Sequence, residues 1–478
     1  MLSNRAESFN LKYLLFLLIA ITVLKNLVFI GILPAWQGPD ESSHFAQVQF
    51  LAEEKSLPVY KLPYSAYSTD YSDELRESLI VNDSDHIAFK PENIQRFLYK
   101  DIFPKPGETQ KTSQSRHVNP DNYRNNTLAY SPLFYGYGAI FYTLGERFDV
   151  EKRMYLVRFG ATLLMIPFVL YSFLLGRLLF DDHVIALSLS AFVSFHPMVT
   201  FAFTMVNNDS LLLTASAGAV YYMAAFYKDG MKHDVLKAGL ALAIAILAKP
   251  HGLVLAAGLL VLLASRLLKG WSIPWRDVLL SLLLLTLMTA PWFIYCELHY
   301  GNILGPGFSS LDVTEAKYEP PSLLERFNPL FFRWPFTMFV SFWGNFGHLD
   351  TPIPHNLTIV LWGTYIAAFA AITIFAIKIV ARREFGDRMN ALFISFLLVV
   401  YIFDIALAFF LYPSLMYEGG QGRYYFAVWL PMASILFFTL VKLSPDKYAR
   451  LCAITASLLM LCYFIYALFG VVTARYYL

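Results

Sequence analysis

The sequence predicts an all-α polytopic membrane protein with about 11 transmembrane helices and a long first outer loop that carries interfacial helices. Of the 478 residues, 57% are hydrophobic and 15% are charged. Apolar runs of about 20 residues, long enough to cross a hydrocarbon core of roughly 30 Å, recur along most of the chain. The basic residues fall in alternate loops between these runs, which is typical of cytoplasmic loops.

Eleven apolar runs account for the predicted membrane helices. They cover about 13–33, 155–178, 184–205, 209–227, 235–248, 252–268, 277–297, 356–380, 389–411, 424–441 and 450–473. The first run lacks a small-x-small cleavage site, so we interpret it as an uncleaved signal anchor with the N-terminus in the cytoplasm. The odd number of crossings then places the C-terminus on the outer side.

The basic clusters on the cytoplasmic side set this orientation. They are Arg5 and Lys12, Arg177, Lys228 with Lys232 and Lys237, Arg266 with Lys269 and Arg276, Lys378 with Arg382 and Arg383, and Lys442 with Lys447 and Arg450.

Residues 128–144 are apolar enough to span, but they contain several tyrosines and an internal proline. Counting them as a span would move the later clusters outside, so an interfacial helix is predicted there. Residues 331–342, interrupted by Arg333 and Pro335, are predicted to form an outer or re-entrant helix.

One membrane domain is predicted over residues 1–478. It comprises the first helix (13–33), an outer loop (34–154), helices 2–7 (155–297), a second outer loop (298–355) and helices 8–11 (356–478). Loops this long without a span of their own are usually functional. The three cysteines have no metal-ligand spacing, and the net charge of +2 gives no indication of a nucleic-acid partner.

Polar motifs converge on the predicted outer side. Asp40, Glu41 and His44 follow the first helix, and Asn207-Asn208-Asp209 precedes the fourth. The others are Lys249-Pro250-His251-Gly252, Ser341-Phe342-Trp343-Gly344-Asn345-Phe346-Gly347-His348 and Gln421-Gly422-Arg423-Tyr424. Each has a structural alternative: a solvated Gly-Pro turn for the first, a helix N-cap for Asp209, a snorkelling turn residue for Lys249 and a tight turn at Arg423. Inside the membrane, Lys25 and Asp404 lie at a similar estimated depth from the outer side, and a structural ion pair between them is favoured over a proton relay.

Transfer of a sugar from a polyprenyl-phosphate carrier fits this set of residues. The reaction needs a base for the acceptor hydroxyl, which a carboxylate on the aqueous side can supply. It also needs cations where negative charge develops on the leaving phosphate, and Arg423 and Lys249 suit that role. Aromatic side chains such as Trp343, Tyr424 and Tyr425 could stack on a sugar or pack against the lipid.

The same residues resemble a known superfamily over nearly the whole chain. Asp40-Glu41, Asp209 and Lys249 look like the GT-C integral-membrane glycosyltransferases, which include the protein O-mannosyltransferases and the aminoarabinose lipid A transferases. Pro39-Asp40-Glu41-Ser42-Ser43-His44-Phe45, together with the motifs at Asn207, Ser341 and Gln421, is similar to the bacterial branch called domain of unknown function 2142. The chain departs from that branch at Tyr130-Ser131-Pro132, where paired prolines are more usual, and at His348, where tryptophan is common.

The resemblance implies a GT-C-like fold in which Asp40 or Glu41 is the catalytic base or lies beside it. It implies that Asp209 helps to bind the acceptor or a divalent cation, Mg or Mn, for which Asp40, Glu41, His44 and Asp209 offer ligands. The predicted substrate-binding residues are His44, Asn208, Asp209, Lys249, Trp343, Gln421, Arg423 and Tyr424.

The predicted function is an inverting membrane glycosyltransferase. It moves a sugar from a polyprenyl-phosphate-linked lipid to a glycan, lipid or protein acceptor on the outer face of the bacterial cytoplasmic (inner) membrane. The alternatives are a transporter or flippase and a polymerase or ligase of lipid-linked saccharides. A transporter is disfavoured because the polar residues gather on one face and no internal repeat is present.

Overall fold

The computed structural model describes residues 2–57, 60–61, 66–67, 72, 74–75, 78, 127, 130–303, 334–384, 387–410 and 421–477. Much of the first predicted outer loop and more than half of the second lie outside these residues.

The described residues of the first half of the chain form helices and one short hairpin. Its elements are α1 (Leu2–Ile32), α2 (Glu41–Glu54), β1 (Tyr60–Lys61), β2 (Ala66–Tyr67), α3 (Pro132–Leu144), α4 (Val150–Leu163), α5 (Met165–Phe180), α6 (His183–Phe195), α7 (Pro197–Phe203), α8 (Asp209–Asp229) and α9 (Lys232–Ala248). Strands β1 and β2 pair antiparallel, with Tyr60 opposite Tyr67.

The second half continues the bundle. Its elements are a 3-10 helix (Pro250–Leu253), α10 (Val254–Leu268), α11 (Trp275–Tyr300), α12 (Trp334–Gly344), β3 (Asn345–Phe346), β4 (Thr351–Pro352), α13 (His355–Ala381), α14 (Arg388–Phe410), a second 3-10 helix (Gly422–Val428), α15 (Trp429–Leu443), α16 (Asp446–Tyr466), a π-helix (Ala467–Val472) and α17 (Thr473–Tyr477). Strands β3 and β4 pair antiparallel, with Asn345 opposite Pro352.

Helices lie on all eleven predicted runs, but not all of them qualify as spans. Among the described residues, nine helical segments are long and apolar enough to cross a membrane, or ten if the bent pair α6 and α7 is one span. Helix α9 has 17 residues, about 26 Å, which is short for a hydrocarbon core of roughly 30 Å. The all-α polytopic class is therefore confirmed, whereas the number of eleven crossings is not.

Local sequence signals explain where several helices begin. Asp149 accepts from the backbone amide of Lys152 at the start of α4, and Asp182 accepts from two amides at the start of α6. These are N-cap interactions that satisfy otherwise unpaired helix donors. Pro197 at the first position of α7 cannot continue α6, and the two helices meet at 68°.

The two short helices predicted outside the bundle are present. Helix α3 has 13 residues and α12 has 11, so neither can cross a bilayer alone. Helix α3 begins after the N-cap Ser131, with Pro132 at its first position, and packs on α2 and α4. Their position on the outer surface stays a prediction.

The predicted ion pair inside the membrane is wrong. The Lys25 Nζ atom donates to Asn26 Oδ1 at 2.8 Å and to Thr200 Oγ1 at 2.5 Å, while Asp404 Oδ1 accepts from the Tyr425 hydroxyl at 2.8 Å. Helix α1 packs on α7, whereas α14 packs on the second 3-10 helix. Equal depth in the membrane did not make the two helices neighbours.

Candidate functional site

The turn between α1 and α2 presents the first acidic pair. Two of its residues, Trp36 and Asp40, have left-handed backbone conformations with φ of 64° and 57°. This conformation is uncommon for residues other than glycine and is maintained only by surrounding contacts. Asp40 is the N-cap of α2, yet its side chain makes no capping hydrogen bond. Its carboxylate is thereby directed away from the helix.

Glu41 is fixed by a fully buried ion pair. Its Oε1 and Oε2 atoms accept from Arg158 Nε at 2.8 Å and from an Arg158 terminal nitrogen at 2.6 Å, and both side chains are fully buried. The same oxygens accept from the backbone amides of Val206 and Gly38. Arg158 also donates to two backbone carbonyls at the end of α1. Glu41 therefore joins α1, α2 and α4 and has no surface available to a substrate.

Asp40 has the opposite environment. Its side chain is 49% exposed, and its Oδ2 atom accepts from Arg423 at 2.8 Å. Partial burial raises the pKa of Asp40, but the charge and the hydrogen bond of Arg423 lower it by more, so the net pKa lies below the usual value. Asp40 is therefore an ionised, accessible carboxylate at neutral pH.

A close backbone contact places Arg423. The Gly422 amide donates to Ser341 Oγ at 2.7 Å, which joins the second 3-10 helix to α12. A Cβ atom at Gly422 would lie 2.1 Å from the backbone nitrogen of Phe342, so only glycine fits at this position. The motifs at Ser341 and Gln421, distant in sequence, thus meet in space.

The second acid forms its own ion pair. Asp209 and Lys249 are buried, and Lys249 Nζ donates to Asp209 Oδ1 at 2.7 Å. The ammonium group also lies 5.9 Å from the ring centroids of Tyr130 and Tyr424. Burial lowers the pKa of Lys249 against the opposing effect of Asp209. Asp209 is the first residue of α8, and the preceding Asn208 donates to the Ala248 carbonyl at 2.8 Å.

His44 links the first acid to the tyrosines. Its Nδ1 atom lies 2.9 Å from the Tyr135 hydroxyl, and its ring stacks on Tyr130 with centroids 6.1 Å apart. Burial lowers the pKa of His44 to about 3, with Asp40 acting in the opposite direction. A neutral imidazole at this position can donate one hydrogen bond from one ring nitrogen and accept one at the other.

Buried polar atoms without a partner gather around these residues. Within the described residues they include Asn207 Nδ2, Asn208 Oδ1, Asp209 Oδ2, both ring nitrogens of His251, Gln421 Oε1 and Arg423 Nε. Each unsatisfied buried group costs about 1–3 kcal/mol. A concentration of such groups beside two ion pairs is typical of a site that completes its hydrogen bonds with a ligand or with water.

A small cleft with mostly apolar walls lies against Arg423. It is lined by Pro39, Met198, Phe201, Met205, Ser341, Leu349, Gln421, Gly422, Arg423 and Phe426. A cleft with mostly apolar walls and one cation suits a molecule that has an apolar part and an anionic part.

Of the predicted substrate-binding residues, Trp343 lies elsewhere. Its ring packs on His196 at 5.1 Å and on Tyr463 at 6.2 Å between centroids. Tyr425 likewise bonds to Asp404. The predicted stacking surface of Trp343 is thus occupied by protein side chains. Tyr424 does lie at the site, where it stacks on His251 with centroids 5.1 Å apart.

The predicted divalent cation has no matching ligand set in the described part of the chain. No group of three or more His, Cys, Asp or Glu side chains is placed there to hold a metal. Asp40 and Asp209, the predicted ligands, each bind a protein cation. A metal between them would have to displace Arg423 or Lys249, so the metal stays a prediction.

The sequence prediction assigned no role to several residues that build the site, although His251 belongs to one of its polar motifs. Arg158 pairs with Glu41, Tyr130 and Tyr135 flank His44, and His251 stacks on Tyr424. An arginine at the edge of a predicted apolar span was the only available signal for Arg158.

The chain matches one protein family and is similar to solved structures. A family model described as predicted membrane protein (DUF2142) matches residues 24–432. No curated protein matches the sequence. Among solved structures, ArnT from Cupriavidus metallidurans bound to undecaprenyl phosphate is 15% identical, with a TM-score of 0.49, over 91% of this chain and 61% of that chain.

A second solved structure is more similar in shape. It is the archaeal oligosaccharyltransferase AglB from Archaeoglobus fulgidus in complex with an inhibitory peptide and a dolichol-phosphate. It is 12% identical, with a TM-score of 0.52, over 98% of this chain and 56% of that chain. The chain therefore spans less than two thirds of the length of either protein. The shared fold confirms the GT-C-like architecture.

Proposed function

The chain belongs to the DUF2142 family of predicted membrane proteins, and we propose that it is a membrane glycosyltransferase of the GT-C type. It moves a sugar from a polyprenyl-phosphate-linked donor to a glycan, lipid or protein acceptor of the cell envelope. One observation carries the proposal: an accessible carboxylate, Asp40, is paired with Arg423 at the wall of an apolar cleft. AglB is in complex with a dolichol-phosphate, and we propose a lipid of that class as the donor carrier here.

Asp40 acts as the base in this proposal. It accepts the proton of the acceptor hydroxyl as the acceptor oxygen forms its bond to the sugar C1 atom. The bond from C1 to the phosphate oxygen breaks, and its electron pair stays on the phosphate. Attack from the face opposite the phosphate inverts the configuration at C1. Glu41 fixes the turn that carries Asp40 and takes no proton, because its oxygens are already bound to Arg158 and two amides.

The two cations stabilise the leaving phosphate, which gains a negative charge. Arg423 faces the cleft, and Lys249 uses one contact for Asp209 and keeps other N–H donors. Such donors lower the barrier because they are already placed where charge develops. His44, Asn208, Gln421 and Tyr424 lie around these groups and are the proposed contacts for sugar hydroxyls.

Arg423 is shared between Asp40 and the donor. In the structure its terminal nitrogen bonds to Asp40, and its Nε atom has no partner among the described residues. A phosphate that draws the guanidinium towards itself weakens its effect on Asp40, whose pKa then rises. Donor binding would thereby make Asp40 a stronger base. A divalent cation, if required, would bind near Asp40 and Asp209, but no step here depends on it.

We place the reaction on the outer face of the bacterial cytoplasmic membrane, with the N-terminus in the cytoplasm. Asp209 begins α8 at the site, and the other end of α8 carries Lys228. Basic residues also end α5, α10, α13 and α15. This asymmetry supports a cytoplasmic end opposite the site.

Mass spectrometry of polyprenyl phosphates tests the proposal. The purified protein in lipid nanodiscs is incubated with a bacterial cell-envelope extract that contains both lipid-linked sugars and glycan, lipid and protein acceptors. We expect wild type to convert polyprenyl-monophosphate sugars to free polyprenyl phosphate. Asp40→Asn should reduce this conversion by at least about 100-fold because it removes the base.

Asp182→Asn is the matched control, since Asp182 also pairs with an arginine, Arg450 at 2.7 Å, but caps α6 at the opposite end of the bundle. It should keep near wild-type conversion. Full conversion by Asp40→Asn would refute the assignment of the base. Consumption of a lipid diphosphate would favour a polymerase or ligase, and movement of an unchanged lipid-linked sugar across the membrane would favour a flippase.

A further inference from the structure

A second polar cluster lies at the end of the bundle opposite Asp40. Three cations surround the indole ring of Trp271: Arg388 Cζ at 4.6 Å, Lys269 Nζ at 4.8 Å and Arg266 Cζ at 5.5 Å from the ring centroid. We call Arg266, Lys269, Trp271 and Arg388 the basic indole cluster. The proposed glycosyl transfer does not use it.

The end of α10 builds this cluster. Gly270 follows Lys269 with a φ of 67°, a conformation that favours glycine. The chain therefore turns back, and the Trp271 amide donates to the Arg266 carbonyl at 3.0 Å. This is the hydrogen bond of a Schellman-type helix end. It holds the indole beside the two basic side chains of the last turn.

Two of the cations have structural partners. Arg266 donates to the carbonyls of Phe226 and Tyr227 at 3.0 and 2.9 Å, and Arg388 donates to the Lys228 carbonyl. These contacts satisfy the C-terminal carbonyls of α8. They use only part of the donor capacity of a guanidinium, which has five N–H groups.

The positive charge of the cluster is not balanced by protein. In the described residues, none of the three cations forms an ion pair with a carboxylate within 4.0 Å. The nearby Asp387 uses its Oδ1 atom to cap α14 at Met389. Lys269 Nζ is buried and has no hydrogen-bond partner there. Three like charges and a buried ammonium group without a hydrogen-bond partner among the described residues indicate that the basic indole cluster binds an anion.

We propose that Lys269 and Arg388, which both contact the Trp271 ring, bind the phosphate of an anionic phospholipid. The neighbouring apolar side chains support a lipid source of the phosphate, since Leu267 is 61% exposed and Leu268 is 88% exposed. Acyl chains can cover these leucines while the headgroup meets the cations. Basic sites between membrane helices recognise anionic headgroups by this chemistry.

Native mass spectrometry of the full chain in detergent measures this binding. Phosphatidylglycerol is titrated against phosphatidylcholine, and we expect wild type to prefer the anionic lipid. Lys269→Gln combined with Arg388→Gln should weaken phosphatidylglycerol binding roughly 10- to 30-fold. Lys447→Gln is the control, because Lys447 also lies over an aromatic ring, Tyr448 at 4.7 Å, but outside the cluster. It should retain wild-type binding.

Lys269→Gln alone serves as a second variant, since it removes no hydrogen bond of the described residues. Its melting temperature in phosphatidylcholine nanodiscs should equal that of wild type, while its phosphatidylglycerol binding falls. Unchanged phosphatidylglycerol binding in both variants would overturn the proposal. Equal stabilisation of wild type by inorganic phosphate would overturn the assignment to a lipid.

Discussion

Asp40 and Glu41 are adjacent in the chain, yet burial separates their roles. The left-handed conformation of Asp40 leaves its carboxylate half exposed, whereas the next carboxylate is fully buried against Arg158. The sequence motif contains both acids but not this difference, because it depends on Arg158, more than one hundred residues away. The residue that pairs with Glu41 could not be identified from spacing alone.

Glu41→Gln should destabilise the protein by about 3–5 kcal/mol, because it leaves the Arg158 charge buried without its partner. The measurement is thermal unfolding in nanodiscs. Asp40→Asn should unfold close to the wild-type temperature, since its side chain is half exposed. Glu41→Leu with Arg158→Leu should recover part of the lost stability. A wild-type unfolding temperature for Glu41→Gln would contradict the structural role of this pair.

Arg423 should set the position of the acid limb of the pH–rate profile. The pKa of Asp40 is lowered in the free protein, so the carboxylate stays ionised until the pH falls through that low value. The value of kcat/KM, which reports the free enzyme, should therefore fall only below it. Arg423→Gln removes the charge that lowers this pKa, and burial then raises it. The acid limb of the residual rate should therefore move to higher pH. Arg423→Lys keeps the charge and should keep the limb near its wild-type position; an unmoved limb in Arg423→Gln would refute the coupling.

Among the elements, the second 3-10 helix depends on a single glycine. Gly422→Ala would place a Cβ atom 2.1 Å from a backbone nitrogen of α12, where backbone atoms cannot give way. We expect a stability loss of about 1–3 kcal/mol. The rate should fall by about 100-fold, since a shift of roughly 1 Å in Arg423 has that effect.

Gly363→Ala in α13 is the control, because a Cβ atom there meets nothing within 4 Å. It should leave the rate and the unfolding temperature unchanged. If Gly422→Ala behaves like Gly363→Ala, the close contact between α12 and the 3-10 helix does not position Arg423.

Most elements could be predicted from hydropathy, and the differences have local causes. The apolar run at 184–205 contains His196-Pro197, which ends α6 and starts α7 at an angle. The run at 235–248 forms a helix that is short for a full crossing. Hydropathy reports the apolar length of a segment but not the path of its axis. The number of membrane crossings therefore could not be predicted from hydropathy alone.

At the scale of the molecule, the sequence predicted which motifs come together but not how their side chains pair. Asp40 with Arg423 and Asp209 with Lys249 meet as the outer-side grouping implied. The Lys25 and Asp404 prediction failed because it rested on depth in the membrane, whereas contact requires neighbouring helices. The motif of Trp343 lies at the site, but its ring packs on His196, so a role of this side chain in substrate binding stays a prediction.

Orientation in the membrane decides which compartment the site serves, and cysteine labelling measures it. Arg147 precedes α4 at the end of the bundle near Asp40, and Lys232 begins α9 at the other end; both are exposed. In a background without Cys296, Cys452 and Cys462, we expect an impermeant maleimide to label Arg147→Cys in intact cells. Lys232→Cys should react only after permeabilisation. The reverse pattern would place Asp40 on the cytoplasmic side and would therefore exclude an outer-leaflet donor. We do not expect that pattern, because the basic ends of the helices would then violate the positive-inside rule.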